Sequence, residues 1–262
     1  MTKVRDIVNY FAQLVPPEMK MDFDNVGLLV GLNECEVKRA LVALDITDDV
    51  IDEAIGQNAQ IILSHHPLFF DLKQVNDDDC VGRKIALLLR NGVSALCQHT
   101  NLDSVDGGVN DALARALKVT VEGRLEEHIS SIGVPYGCGR YGHLQKPMPL
   151  GEFLAFANSA LKTNGIRYCD AGRVVHKIAL CGGSGGEYIE TAAALGCDTI
   201  VTADLKYHQL LLAKELRLNA LDADHFCTEN VVVPVLAEML KVGFPDVEVR
   251  ISEVHGQTAR FF

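Results

Sequence analysis

Short apolar, β-branched runs alternate along the chain with segments whose apolar residues recur every three to four positions. The runs 40–45 (ALVALD), 60–64 (QIILS), 93–97 (VSALC), 174–181 (VVHKIALC), 198–202 (DTIVT), 218–222 (LNALD) and 246–251 (DVEVRI) read as strands. Helices are predicted between them: over 47–57 with Thr47 as N-cap, over 79–91 closed by Gly92, and over 186–195 closed by Gly196. The first helix puts Val4, Ile7, Val8, Phe11 and Leu14 on one face and stops at Pro16-Pro17. Strand, helix, strand in succession predicts an α/β fold with largely parallel sheets covered by helices. Ligand chemistry in such folds sits at the carboxyl ends of the strands.

The segment LVALDITDDVIDEAIGQNAQIILSHH is echoed by IALCGGSGGEYIETAAALGCDTIVTAD, about 138 residues further on. Both read strand, turn, helix, glycine, strand and then a polar residue. The echo predicts two similar α/β lobes, the first formed by 1–125 plus 223–262 and the second by 126–222. The glycine- and proline-rich stretch 123–150 is read as the crossing between them.

Composition narrows the class. Hydrophobic residues make up 48% and charged residues 23%, which suffices for a folded core and excludes a disordered chain. With 24 Lys+Arg against 35 Asp+Glu the formal charge is −11, which disfavours non-specific nucleic-acid binding. The eight cysteines contain no CxxC pair and lie mostly in apolar runs, so they read as reduced, buried side chains of a cytoplasmic protein. Arg5 and Asp6 interrupt any signal-type run at the start, and no apolar stretch approaches the roughly 20 residues of a membrane span.

The chemistry concentrates where strands end. IILSHHPLFF delivers His65 and His66 directly after a buried strand, and alternation along an extended chain would aim the two imidazoles to opposite sides. VSALCQHTNLDS supplies His99 and Asp103, and LNALDADHFCTEN supplies Asp222, Asp224, His225 and Glu229. If a helix starts near Thr228, Glu229 falls in its first turn, where the macrodipole tolerates a carboxylate. Imidazole and carboxylate donors suit divalent Zn, Fe, Mn, Co or Ni. A single zinc needs four donors, whereas His65, His66, Asp103, His225 and a bridging Glu229 can hold two ions with open positions. The residues alone leave three readings open: a pair of loop histidines bonded to backbone, one structural ion, or two ions.

DNVGLLVG (24–31), SHHP (64–67), HTNLD (99–103), CGGSG (181–185) and HFCTE (225–229), in this order over nearly the whole chain, resemble the GTP cyclohydrolase I type 2 proteins, also called the Nif-three-like (NGG-interacting factor three) family. The resemblance implies two similar α/β lobes, a dinuclear metal site in the cleft between them, and a toroidal homohexamer assembled as a trimer of dimers. Its metal ligands fall on His65, His66, Asp103, His225 and Glu229, with the last as the bridge. The reaction it implies is attack of a metal-activated water on the imidazole-ring carbon of a guanine nucleotide, with ring opening and release of formate.

Other residues complete the expectation. His99 and His208 are candidate general acids for the departing nitrogen. Lys206 and Tyr207, in TADLKYH, and Gly183 and Ser184, in the glycine-rich turn, are candidate contacts for a nucleotide or another anionic small molecule. Asp45 is read as a support for a ligand histidine, and His128, His143, His176 and His255 as structural. The alternatives are a dinuclear hydrolase of a phosphoester or amide, and a non-catalytic metal-binding ring or scaffold.

Overall fold

The computed structural model describes residues 1–260. They fold as a mixed α/β protein in two compact units: Met1–Leu102 with Val233–Gly256, and Asp103–Val232 with the described residues from Gln257 onward. These bounds differ from the lobes read in the sequence. Strand Val119–Gly123 pairs with Arg140–Met148, and helix His225–Glu229 packs on strand Val175–Ser184, so 103–125 and 223–232 belong with the second unit.

The first unit is built on a five-stranded sheet in the order Gly27–Val30, Ser94–Cys97, Ile61–Ser64, Arg39–Ala43, Glu248–Ile251. Every pairing is parallel except that of the edge strand Gly27–Val30. Ile61–Ser64 and Ser94–Cys97 are buried at every position, which is why their sequences are uninterrupted apolar runs. Helices Asp48–Gly56 and Cys80–Arg90 pack over the sheet through Val50, Ile51, Ala54, Ile85 and Leu88. Their starts are fixed by side chains: Thr47 Oγ1 accepts from Val50 N–H (3.2 Å), and Asp79 Oδ1 from Gly82 N–H (2.8 Å). The first helix, Val4–Leu14, buries Val4, Ile7 and Phe11, but Leu14 is exposed. The chain leaves the helix at Val15, whose side chain enters the core instead.

The second unit carries a six-stranded sheet in the order Val119–Gly123, Arg140–Met148, Val175–Ser184, Thr199–Ala203, Asn219–Asp222, Arg167–Cys169. Only the two pairings among Val175–Ser184, Thr199–Ala203 and Asn219–Asp222 are parallel; the other three are antiparallel. The expected largely parallel character therefore holds for the first sheet and not for the second. The antiparallel strands escaped the sequence because one or both of their faces are open to solvent, so they lack apolar runs. The echoed segments do share a strand–helix–parallel strand unit: Arg39–Ala43, Asp48–Gly56, Ile61–Ser64 in one, and Val175–Ser184, Ile189–Ala194, Thr199–Ala203 in the other.

The stretch 123–150 is not a bare crossing. It contains a small ribbon, His128–Ile129 with Pro135–Tyr136, and the long strand Arg140–Met148. Among the described residues, no helix is long and apolar enough to cross a membrane. All eight cysteines are free thiols; Cys97, Cys138, Cys181, Cys197 and Cys227 are buried and Cys80 is exposed.

Candidate metal centre

In the first unit the site grows out of a strand that stops. Ile61–Ser64 ends one residue before His65, and the Ser64 hydroxyl donates to the His66 carbonyl (2.8 Å) while His66 N–H donates to Leu44 O (2.9 Å). The pleat does not continue past Ser64, so its alternation does not apply. The two imidazoles lie side by side, with centroids 5.1 Å apart, rather than opposed. His99, on the loop after Ser94–Cys97, joins them at 5.2 Å from His65 and 5.6 Å from His66. One ligand atom from each of the three lies within 4.8 Å of the others.

Each of these imidazoles is oriented from behind. His65 Nδ1 faces Gln98 O at 2.9 Å, His66 Nδ1 faces Asp45 Oδ1 at 2.6 Å, and His99 Nδ1 faces Asp24 Oδ1 at 2.8 Å. A carbonyl or a carboxylate can only accept, so Nδ1 carries a proton in all three rings, which leaves Nε2 as the atom able to take a metal or a second proton. That is the arrangement of ligand histidines, whose second nitrogen is held by a carboxylate or backbone oxygen. Asp45 thus bonds His66, one of the histidines it was expected to support. Asp24 is the residue that the sequence did not offer. Its side chain is fully buried and also accepts from Thr100 N–H (2.9 Å) and the Thr100 hydroxyl (2.5 Å). Burial pushes its carboxyl up, but the bonds from His99 and Thr100 and the His99 charge outweigh burial and hold it at about 2.

In the second unit the donors are mainly carboxylates. The helix His225–Glu229 starts three residues earlier than expected, because Asp224 caps it through Oδ1 to Cys227 N–H (3.1 Å). Glu229 is therefore its last residue and not in its first turn. The i, i+4 spacing brings Glu229 Oε2 to 3.0 Å from His225 Nε2. His225 Nδ1 donates to Asp204 Oδ2 (2.7 Å), which also accepts from the Ser184 hydroxyl (2.7 Å). Burial raises the Asp204 carboxyl, and the bonds from His225 and Ser184 more than reverse it, leaving it below its ordinary value. Asp103, at the end of the short helix Thr100–Ser104, is buried, with a carboxylate oxygen within 4.8 Å of one from Glu229. Asn110 fixes its backbone by donating to Asp103 O (3.0 Å).

Gly183 makes the second arrangement feasible. It has φ +63, and a Cβ there would sit 2.1 Å from Glu229 Oε1 and 3.2 Å from His225 Cε1. Its N–H donates to Thr228 Oγ1 (3.0 Å), and that of Gly182 donates to Asn110 Oδ1 (3.0 Å). The amides of Gly182 and Gly183 are thus engaged within the protein, and the Ser184 hydroxyl is bonded to Asp204. Lys206, Tyr207 and His208 are exposed at the start of helix Tyr207–Glu215, Tyr207 to 75%. From that loop it is Asp204, with φ +55, that reaches His225. Asp222 serves the loop, accepting from Arg167 (2.6 Å) and from the N–H groups of Asp204 and Leu205 (both 3.1 Å). His128, His143 and His255 bond to Glu126, Glu122 and the Ser252 carbonyl, away from either group of donors.

The fold and these side chains define a mixed α/β protein carrying histidine and carboxylate groups able to hold metal. The match to the family model described as Duf34/NIF3 (NGG1p interacting factor 3) extends over residues 2–258, and the chain belongs to that family. It is 38% identical over 254 residues to a GTP cyclohydrolase 1 type 2 homolog of Clostridium perfringens, covering 96% of each chain. A homolog of the same name from Clostridium acetobutylicum is 36% identical over 241 residues, 91% of this chain and 90% of that one. Among solved structures, a Bacillus cereus protein related to NIF3 superposes with a TM-score of 0.91 at 26% identity, covering 100% of this chain and 99% of its own.

Proposed function

We propose that His65, His66, Asp103, His225 and Glu229 hold two divalent transition-metal ions, and that the protein is a metal-dependent hydrolase of the GTP cyclohydrolase type. The observation that carries this reading is that histidines oriented by oxygen acceptors stand in groups of imidazole and carboxylate donors close enough to hold an ion. His65 and His66 each give Nδ1 to an oxygen acceptor, which leaves Nε2 as the atom able to take a metal, and His225 lies between two carboxylates, Asp204 at Nδ1 and Glu229 at Nε2. His143 and His255 also bond an oxygen through Nδ1, but among the described residues neither stands in a group of donors that could hold an ion. Oxygen and nitrogen donors without thiolate fit Zn, Fe, Mn, Co or Ni.

Two such ions supply Lewis acidity and lower the pKa of water toward neutrality. The protein's own groups have the remaining tasks. Asp103 and Glu229 offset cationic charge, and the bound pair would take the formal charge from −11 to about −7. His99, held by Asp24, is placed to keep a proton beside the cluster and deliver it to a leaving nitrogen. The substrate of this reading is a guanine nucleotide, whose imidazole-ring carbon would take up one water to open the ring to a formamide and a second to depart as formate, leaving the freed nitrogens protonated. The relatives named GTP cyclohydrolase 1 type 2 homolog support that choice. The hexamer implied by the resemblance is proposed with it, and light scattering measures it.

Elemental analysis of protein purified without chelator is expected to find close to two transition-metal ions per chain, and the His66→Ala variant fewer. Incubating loaded protein with GTP is expected to release formate. Metal and assembly without formate above a chelated control would instead favour a metal-binding ring without turnover.

A further inference from the structure

Eight phenylalanines lie within the described residues, and two of them, Phe23 and Phe70, are exposed, by 64% and 55%. They come from separate loops yet stand together, with ring centroids 6.1 Å apart and planes at 53°. Phe70 also meets His99, at 5.8 Å and 59°. The exposed pair therefore continues directly from the imidazole cluster of the first unit. Leaving one such ring in water forgoes most of the stabilisation its burial would bring, so two neighbouring exposed rings are an unusual outcome of folding.

The rings are not exposed for want of structure. Asp24, next to Phe23, is anchored beneath by His99 and Thr100, and Met21 N–H donates to Thr100 Oγ1 (2.9 Å). Asn25 Nδ2 donates to Phe69 O (3.0 Å), tying the two loops to each other. Leu68 is buried in the core, which sets the direction of the segment leading to Phe70. Both loops hold their backbones by polar bonds and turn an aromatic face outward.

We infer that Phe23 and Phe70 form a stacking rim for a planar heteroaromatic ring, with Phe70 as the platform and His99 at the ring's edge. A flat π-system is the ligand chemistry that two tilted phenyl faces recognise, because offset and edge-to-face contacts are the favoured aromatic geometries. The exposed charged neighbours of the two rings, Asp22 and Asp71, are acidic, so the rim selects the ring of a ligand and not its anionic part. The inference rests on the proposed hydrolase site for its location and gives that site its preference among substrates.

The test is calorimetric binding of GTP, CTP and inorganic triphosphate to the metal-loaded protein. The wild type is expected to bind both nucleotides more tightly than triphosphate. Phe70→Ala and Phe23→Ala should each weaken nucleotide binding by at least about fivefold and leave triphosphate binding unchanged. Phe70→Tyr, which keeps the face, should restore wild-type affinity. Equal affinities for nucleotide and triphosphate in the wild type, or unchanged nucleotide affinity in Phe70→Ala, overturn the inference. So does a change confined to oligomeric state, which would make the rim a contact between copies. Formate release and metal content, measured on the same samples, report the hydrolase reading separately: stacking with no formate would sink that reading and leave the rim standing.

Discussion

His65 and His66 owe their placement to a strand that stops, whereas Glu229 owes its own to a glycine that leaves room for it. In the first unit the donors sit just past Ile61–Ser64 and Ser94–Cys97, and acceptors behind each ring, namely Gln98 O, Asp45 and Asp24, aim them. No side chain has to be absent for this to work. In the second unit Glu229 and His225 occupy one helix face against Gly183, at a distance no Cβ would permit. One half is oriented by partners and the other by partners and a void, and the second should tolerate substitution less.

Gly183→Ala is the largest expected break. The new methyl meets Glu229 Oε1 at 2.1 Å, and φ +63 is strained for any L side chain, so Glu229 must leave its position. Strain of this kind costs on the order of 1–3 kcal/mol, visible as a lowered thermal midpoint, and metal affinity should fall by more than about tenfold. Gly27→Ala is the control in the other unit. Gly27 has φ +97 but nothing within 4 Å of its would-be Cβ. It should lose stability while its variant keeps full metal content. Equal metal loss in both variants would erase the distinction between the halves.

The residues behind the ligands come next. Removing such a partner typically costs 10–100-fold in metal affinity. Asp45→Ala and Asp204→Ala should both fall in about that range, read by competition with a chromogenic chelator. Asp204→Asn should fall less far, because an amide oxygen still accepts from His225 Nδ1 and asparagine tolerates the left-handed backbone at φ +55. If Asp204→Asn were as damaging as Asp204→Ala, the carboxylate charge, and not the hydrogen bond, would be the feature that matters.

These supporting residues mark where reading the sequence stops. The seven strands it offered are all present: six are mostly buried and written as apolar runs, and the exposed edge Glu248–Ile251 was marked by its β-branched residues. Val119–Gly123 is missing from that reading because three of its five side chains face solvent, and Gly27–Val30 because it is a half-buried edge. The donors were legible for a similar reason: histidines and carboxylates at strand ends stand out against apolar surroundings. Their partners were not. Asp24 lies 75 residues from His99, and the acceptor for His65 is a backbone carbonyl, which has no sequence signature. Asp204 was visible beside Lys206 and Tyr207, but its left-handed backbone, which turns it toward His225, was not.

The smallest expected effect concerns acid. Asp24 is held at about 2, below the 3.8 of a free aspartate, so the folded protein gives up its proton more readily than the unfolded chain. The unfolded chain then binds more protons between about pH 4 and pH 2. The stabilisation is fully present above that window and is lost as pH falls through it. Asp204 is lowered too, but its side chain is 53% exposed and solvent screens its bonds, so its share is smaller. Asp24→Asn should therefore flatten the fall in stability of chelator-treated protein between about pH 4 and pH 2, by at most one proton's worth of slope. Asp204→Asn should leave it nearly unchanged. Urea titrations at several acid pH values measure both slopes, and parallel curves for wild type and Asp24→Asn would show that the bonds to His99 and Thr100 do not bias this carboxyl. A larger effect at Asp204 would reverse the assignment and make the second unit the acid-sensitive one.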